Sequence, residues 1–482
     1  MSTDTRGAAT SLPHSSPESQ GVDPAGIAAF VDAMDARPEI ELHSLMIIRH
    51  GQVVAEGWWS PYAPDRVHLL YSLSKSFTST AAAFAVAEGL LDLDATVLSY
   101  FPELDADITD PRSRAMLVRH VAAMASGHLE ETVERASALD PVEPVRGFLL
   151  IPPDRDPGSV FAYNQPCTYA LGAIVQRQSG QTLIDYLRPR LFDPLGIGRA
   201  GWQQHPAGRD LGFTGLFLTT ESIARLGLLY LNRGVRNDRQ LISAEWVAEA
   251  TRLQITTPRE PNPDWRRGYG FQFWMSRYGY RGDGAFGQFC LVLPEQDAVV
   301  ITTAATENMQ GVLTGVWDHL VPAMERDQRP ESAAGTVLAE RLETLALPPL
   351  AAGEPPGSWP DVLLRPSPGT ALTQPSLTGA RLRADGGSWR LDLIEGDQTL
   401  SCCVGIGHWA TNVDEVDDGE SGPPVAVSGG WTDPGTFRAA VIFLETPHRA
   451  NLTCRASDAT VAVSWSTVPL RGEHFADLRM PR

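Results

Sequence analysis

The chain has 482 residues, 43% of them hydrophobic and 20% charged, and a formal net charge of −19 at pH 7. That length exceeds one ordinary domain, fits two or three, and supplies enough apolar bulk for a large core. So acidic a surface repels phosphate backbones and anionic lipid, which sets nucleic acid and membrane surfaces aside as partners, and no run reaches the ~20 apolar residues of a membrane span.

In chain order, residues 1–20 read as a polar, mobile leader without an apolar segment of the secretory type. Asp23 then caps a helix through Met34, with Pro24 at its first position. LHSLMIIRHGQVVAEGWW is two β-rich runs around His50-Gly51, a hairpin signal. From Ser72 to about Leu91 the residues are small and apolar nearly all round, which predicts a buried helix. Residues 95–255 or so are mostly helical between Pro/Gly loops. From Tyr269 the pattern returns to strands (YGFQFWMS, GQFCLVLPE, DAVVITTAA) before a last helix near residue 324.

Strands at both ends of a unit with a helical middle predict a mostly antiparallel sheet built from the two chain ends, an α+β fold rather than alternating βαβ. A short amphipathic helix and a Pro/Gly-rich linker follow over residues 328–360. Beyond it, short alternating runs separated by turns predict a small antiparallel barrel or sandwich. The expected organisation is therefore a leader (1–20), an α+β unit (21–327), a linker (328–360) and a C-terminal all-β domain (361–482). The five cysteines (Cys167, Cys290, Cys402, Cys403, Cys454) are odd in number and lack redox or metal spacing, and the eleven histidines are scattered. No metal or other cofactor is expected, and a reduced, cytoplasmic location fits best.

Of the 39 basic residues all but one are arginine; lysine occurs once, at Lys75. A buried lysine can lose its proton, whereas guanidinium effectively cannot. A lone lysine therefore marks a position needing a neutral amine, unless it is a chance survivor or an acetylatable surface residue. Ser72 precedes it by three residues, so the two share a helix face with Cβ atoms roughly 5–6 Å apart. A serine hydroxyl is a weak nucleophile until a neighbouring base takes its proton, and an apolar setting such as FTSTAAAFAV lowers a lysine pKa toward that role.

YSLSKSFTSTAAAFAVAEGLLDLDATVLSYFPE resembles the serine β-lactamase/penicillin-binding-protein superfamily, in its class C branch with esterases, D-aminopeptidases and 6-aminohexanoate-dimer hydrolases. PGSVFAYNQPCTYALGAIVQRQSG resembles that family's Tyr-x-Asn segment, and GDGAFGQFCLVLPEQDAVVITTAA the strand on the other side of its site; together they span roughly residues 20–325. The resemblance implies a β-lactamase-like domain, Tyr163 working with Lys75, and an oxyanion hole of the Ser72 and Ala285 amides. Two departures stand out. After Tyr163 come Asn164 and Gln165, so the family amide falls one place early or becomes glutamine. Where drug-recognising members carry Lys-Thr-Gly, this chain has Gly282-Asp283-Gly284 with Arg281 beside them. The cationic grip on a substrate carboxylate is then missing or handed to Arg281, which implies poor β-lactamase activity. Gly282-x-Gly284-x-x-Gly287 also matches a dinucleotide fingerprint, but a strand follows it where that motif needs a helix.

The resemblance implies a serine hydrolase acting through an acyl-serine on a small ester, amide or short peptide, with no cofactor. Two rivals stay open: an acyl transferase or peptide cyclase using the same residues, and a catalytically silent binding protein working through its C-terminal domain. The oligomeric state is open as well.

Overall fold

The structure is a computed structural model, and it describes residues 11–325, 330–351, 353, 359–413, 422–472 and 474–481. Helix α1 (Pro24–Asp35) starts where Asp23 caps it, its carboxylate accepting the Ala25 N–H at 3.0 Å. Strands β1 (Glu41–Arg49) and β2 (Gln52–Trp58) form the hairpin. Its turn residues His50 and Gly51 have φ of 50° and 74°, the left-handed pair that a twisted two-residue hairpin requires. Helices α2 (Ser74–Ala87) and α3 (Gln165–Ser179) belong to the helical middle. Strands β3 (Trp274–Ser276), β4 (Gly279–Gly284), β5 (Gln288–Leu293) and β6 (Ala298–Ala305) complete a six-stranded sheet in the order β2-β1-β6-β5-β4-β3. All its pairings are antiparallel, and β1 lies on β6 with Ile47 opposite Val300. The two chain ends of the unit thus meet at the sheet centre, where every residue of β6 is buried.

Helix α2 is surrounded by protein, and its hydroxyls are used to pin it. Ser76 Oγ donates to the Gln272 carbonyl at 3.0 Å, Ser79 Oγ to Phe271 at 2.8 Å and Thr78 Oγ1 to Gly212 at 2.8 Å. It starts two residues later than the sequence pattern suggests, because Tyr71–Leu73 form a 3₁₀ turn ahead of it. Strand β4 lies directly against this turn. A Cβ on Gly282 would come 2.3 Å from Leu73 Cδ1, and one on Gly284 would come 2.0 Å from the Leu70 carbonyl oxygen. The two glycines thus serve a strand–helix contact, not a dinucleotide.

The expected leader is packed from residue 11 onward: Leu12 is buried and His14 bridges to Val53 in β2. Residues 1–10 of it lie outside the described residues. The linker helix spans Ala333–Glu343 and buries Leu338 and Leu342; the rest of the linker is described only in part. Beyond it, strands from Gly379–Asp385 to Thr460–Trp465 form one continuous sheet around a second core that includes Leu382, Leu391, Trp431, Phe437 and Leu452. Leu364 and Ala380 exchange backbone hydrogen bonds of 2.8 and 2.9 Å between the two ends of that sheet, nearly closing it into a barrel. The barrel is docked on the first unit: Ala426, Ile442 and Leu444 join the main core, and Leu69 N–H donates to Glu445 O at 2.7 Å. Among the described residues, no helix is long and apolar enough to cross a membrane.

Candidate active site

Ser72 sits in the 3₁₀ turn and Lys75 one turn on, in α2, so their side chains meet. Lys75 Nζ donates to Ser72 Oγ at 3.0 Å and to the Phe213 carbonyl at 2.8 Å. Lys75 is 1% exposed, so it is not an acetylatable surface residue. Burial brings its pKa down to about 7, against the opposing pull of the Glu131 and Asp283 carboxylates. An appreciable share is then the neutral amine at neutral pH. Tyr163, just ahead of α3, has its ring 4.7 Å from Lys75 Nζ, and its phenol feels the Ser72 hydroxyl. Burial and then the Asp283 charge push its phenol far above the ordinary range, so it stays protonated. Trp274 in β3 stacks on the Tyr163 ring at 5.4 Å and fixes its plane.

Tyr71, the residue before Ser72, has a φ of 48°, a left-handed conformation that is costly for a bulky side chain. The barrel holds it there. Tyr71 Oη is 2.5 Å from His448 Nε2, and His448 Nδ1 is 2.9 Å from the Thr467 carbonyl. That second contact puts the ring proton on Nδ1, leaving Nε2 to accept from the tyrosine. Burial lowers the His448 pKa to about 4, so the ring is neutral.

Ser72 opens into a cleft of about 500 Å³ that Gln165, Phe213 and Thr214 also line. Leu470, Arg471 and Gly472, from the segment after the last barrel strand, form its other wall. The sequence motifs do not point to that wall, because nothing in a distant all-β segment marks where it docks.

The remaining sequence candidates divide. Gln165 lines the cleft, and its Oε1 has no hydrogen-bond partner among the described residues. Asn164 turns inward instead: it is buried, and its Oδ1 accepts from Thr132 N–H and Oγ1, both at 2.9 Å. Gln165, one place along, takes the cleft position that the family motif gives to an amide. Glu131, which sequence reasoning missed, holds this segment by accepting the Gln165 N–H at 3.1 Å and the Thr132 N–H at 2.9 Å. Ala285 follows β4, partly buried, and packs against the small cluster that includes Tyr71 and Phe286, while Gly284 backs onto the turn that carries Ser72.

Arg281 and Asp283 are the corrections. Arg281 is 0% exposed, donates from Nε to Asp283 Oδ2 at 3.0 Å, and lies 4.5 Å from the centre of the Trp265 ring. A guanidinium so enclosed cannot grip a substrate carboxylate. Asp283 is consumed in the same pair and is itself buried, with burial raising its pKa.

A family model described as Beta-lactamase matches residues 27–316. The 6-aminohexanoate-dimer hydrolase of Paenarthrobacter ureafaciens is 25% identical over 329 residues, 61% of this chain and 83% of that protein. The lovastatin esterase of Penicillium rubens is 29% identical over 181 residues, 33% of this chain and 45% of that protein. Among solved structures, the octameric penicillin-binding protein homologue from Pyrococcus abyssi aligns with a TM-score of 0.50 at 17% identity, covering 91% of this chain and 97% of that one. That likeness of fold reaches past the matched family region into the barrel.

Proposed function

The chain belongs to the beta-lactamase family and is a serine hydrolase, and from that premise we propose that it cleaves a small ester or amide through an acyl-enzyme on Ser72. The observation that carries this reading is the buried Lys75 amine, 3.0 Å from Ser72 Oγ and with a pKa near 7. Ser72 Oγ attacks the carbonyl carbon as its proton passes to neutral Lys75 Nζ. The tetrahedral oxyanion rests on the Ser72 and Ala285 amides. When the intermediate collapses, the bond to the leaving group breaks, and that group takes the proton from Lys75 through the Tyr163 hydroxyl. Tyr163 acts here as a neutral relay, because its phenol is too weak an acid to serve as a phenolate base. Water then attacks the ester carbon, gives its proton to the same pair, and releases the acid with Ser72 restored. Gln165 is placed to hydrogen-bond the substrate carbonyl or amide. β-Lactams should be poor substrates, since β4 turns no cation toward the cleft.

The test is labelling with a fluorophosphonate, located by peptide mapping, alongside turnover of p-nitrophenyl butyrate and nitrocefin. We expect the label on Ser72, its loss in Ser72→Ala, and ester turnover well above nitrocefin turnover. A folded protein that neither takes the label nor cleaves the ester would refute the reading.

A further inference from the structure

The cleft contains a cation that the family motifs do not provide. Arg471 lies beyond the last barrel strand, yet it shares the cleft with Ser72 and Gln165. Its guanidinium carbon is 5.5 Å from the centre of the Phe213 ring, and Phe213 is the residue whose carbonyl anchors Lys75 Nζ. Arg471 therefore stands over the neighbour of the reacting pair. Most cations of this acidic chain that lie near carboxylates are paired with them, as Arg209 is with Glu143 and Arg177 with Glu103. Arg471 forms no ion pair among the described residues, and the one carboxylate lining the same cleft, Glu134, is not within ion-pair distance of it. An exposed arginine held against an aromatic face keeps its five donors free for a planar anion.

We propose that Arg471 is a specificity-determining residue that binds a carboxylate on the substrate, so that the barrel supplies from across the cleft the grip that β4 lacks. This rests on the hydrolase reading above. The cation reaches the Phe213 ring from the opposite wall of a cleft that no β4 residue lines, and this position selects flexible substrates whose carboxylate is separated from the scissile carbonyl by a short chain. A β-lactam, whose carboxylate is fixed to a rigid bicycle, is not of this kind.

The test compares kcat/KM for p-nitrophenyl butyrate, mono-p-nitrophenyl glutarate and 4-carboxyphenyl butyrate, which carry no carboxylate, one on the acyl side and one on the leaving group. We expect the ratio of one carboxylate ester to the neutral ester to fall by about tenfold or more in Arg471→Gln, the loss typical of one charge-assisted contact. Arg471→Lys should retain part of it, and Arg471→Glu should push it lower still. In the unmodified protein, rising ionic strength should shrink the same ratio, since an exposed pair is screened. Ratios that stay within about twofold of the wild type in Arg471→Gln for both carboxylate esters, or that do not respond to salt, overturn the proposal while ester turnover upholds the hydrolase reading. Absence of both ester turnover and Ser72 labelling removes that reading, and this proposal with it.

Discussion

Lys75 on α2 and Arg281 on β4 are both sealed from solvent, 1% and 0% exposed, in the same unit, but their surroundings differ in kind. Arg281 is given a counter-charge: Asp283 takes Nε–H, and Nη1 reaches Ser276 Oγ at 2.9 Å and the Met275 carbonyl at 3.0 Å, while Nη2 has no hydrogen-bond partner among the described residues. Trp265 covers the guanidinium face. Lys75 has only a hydroxyl and a carbonyl as acceptors, and no carboxylate lies within ion-pair distance among the described residues. A paired guanidinium keeps its charge in the interior. An amine given neutral partners sheds its proton at modest cost, and that makes it a base. The comparison teaches that burial alone does not make a catalytic group; what matters is burial with the counter-charge withheld.

The sharpest way to break this contrast is to exchange the chemistry at the lysine. Lys75→Arg keeps the charge and most of the bulk but cannot accept a proton. Ester turnover should fall by about 10³-fold or more, near the upper range for removing a general base, while circular dichroism and the melting transition show a folded protein. Retained turnover would mean that Ser72 is activated by something other than Lys75.

Stability should respond in opposite directions at the two sites. Arg281→Met leaves Asp283 buried without its partner, a change that costs about 3–5 kcal/mol in comparable settings. Lys75→Met removes an amine that burial already disfavours, so the protein should melt at the same temperature or higher even though it is inactive. Denaturant unfolding of both variants at neutral pH measures this. A Lys75→Met protein as destabilised as Arg281→Met would show that Lys75 is a structural cation like its neighbour.

The sequence showed the lysine but not its surroundings, and the reason is physical. Ser72 and Lys75 were legible because their chemistry lies in local spacing and residue type, and Tyr163 only because the segment around it resembles a family motif. The antiparallel sheet was legible too, since hydrophobic runs at both ends of the unit have nowhere else to pair. Arg281 was misplaced as a cleft residue because a strand residue can face either side of its sheet. Only the aromatic packing of Trp265 and Trp274 shows that it faces inward. Which of Asn164 and Gln165 reaches the cleft stays open in the sequence for a similar reason, since the α3 entry angle depends on Glu131 and Thr132, over thirty residues away. The Leu470–Gly472 wall was out of reach altogether, because it depends on how one core docks on another.

The smallest effect expected is also the most direct reading of the electrostatics. With the Lys75 pKa near 7, kcat/KM should rise about tenfold per pH unit below that value and level off above it, since only the neutral amine accepts the Ser72 proton. The groups that face Nζ are Ser72, Tyr163, Cys167, Glu131 and Asp283, and of these the two carboxylates hold the pKa up against burial. Asp283→Asn removes one of those negative charges and leaves Arg281 uncompensated, and both changes disfavour an ammonium at Lys75. The acid limb of the profile should therefore move to lower pH. Glu131→Gln removes the other of those charges, and its limb should move the same way. Acid limbs that stay where they are in both variants would show that these carboxylates do not tune the lysine.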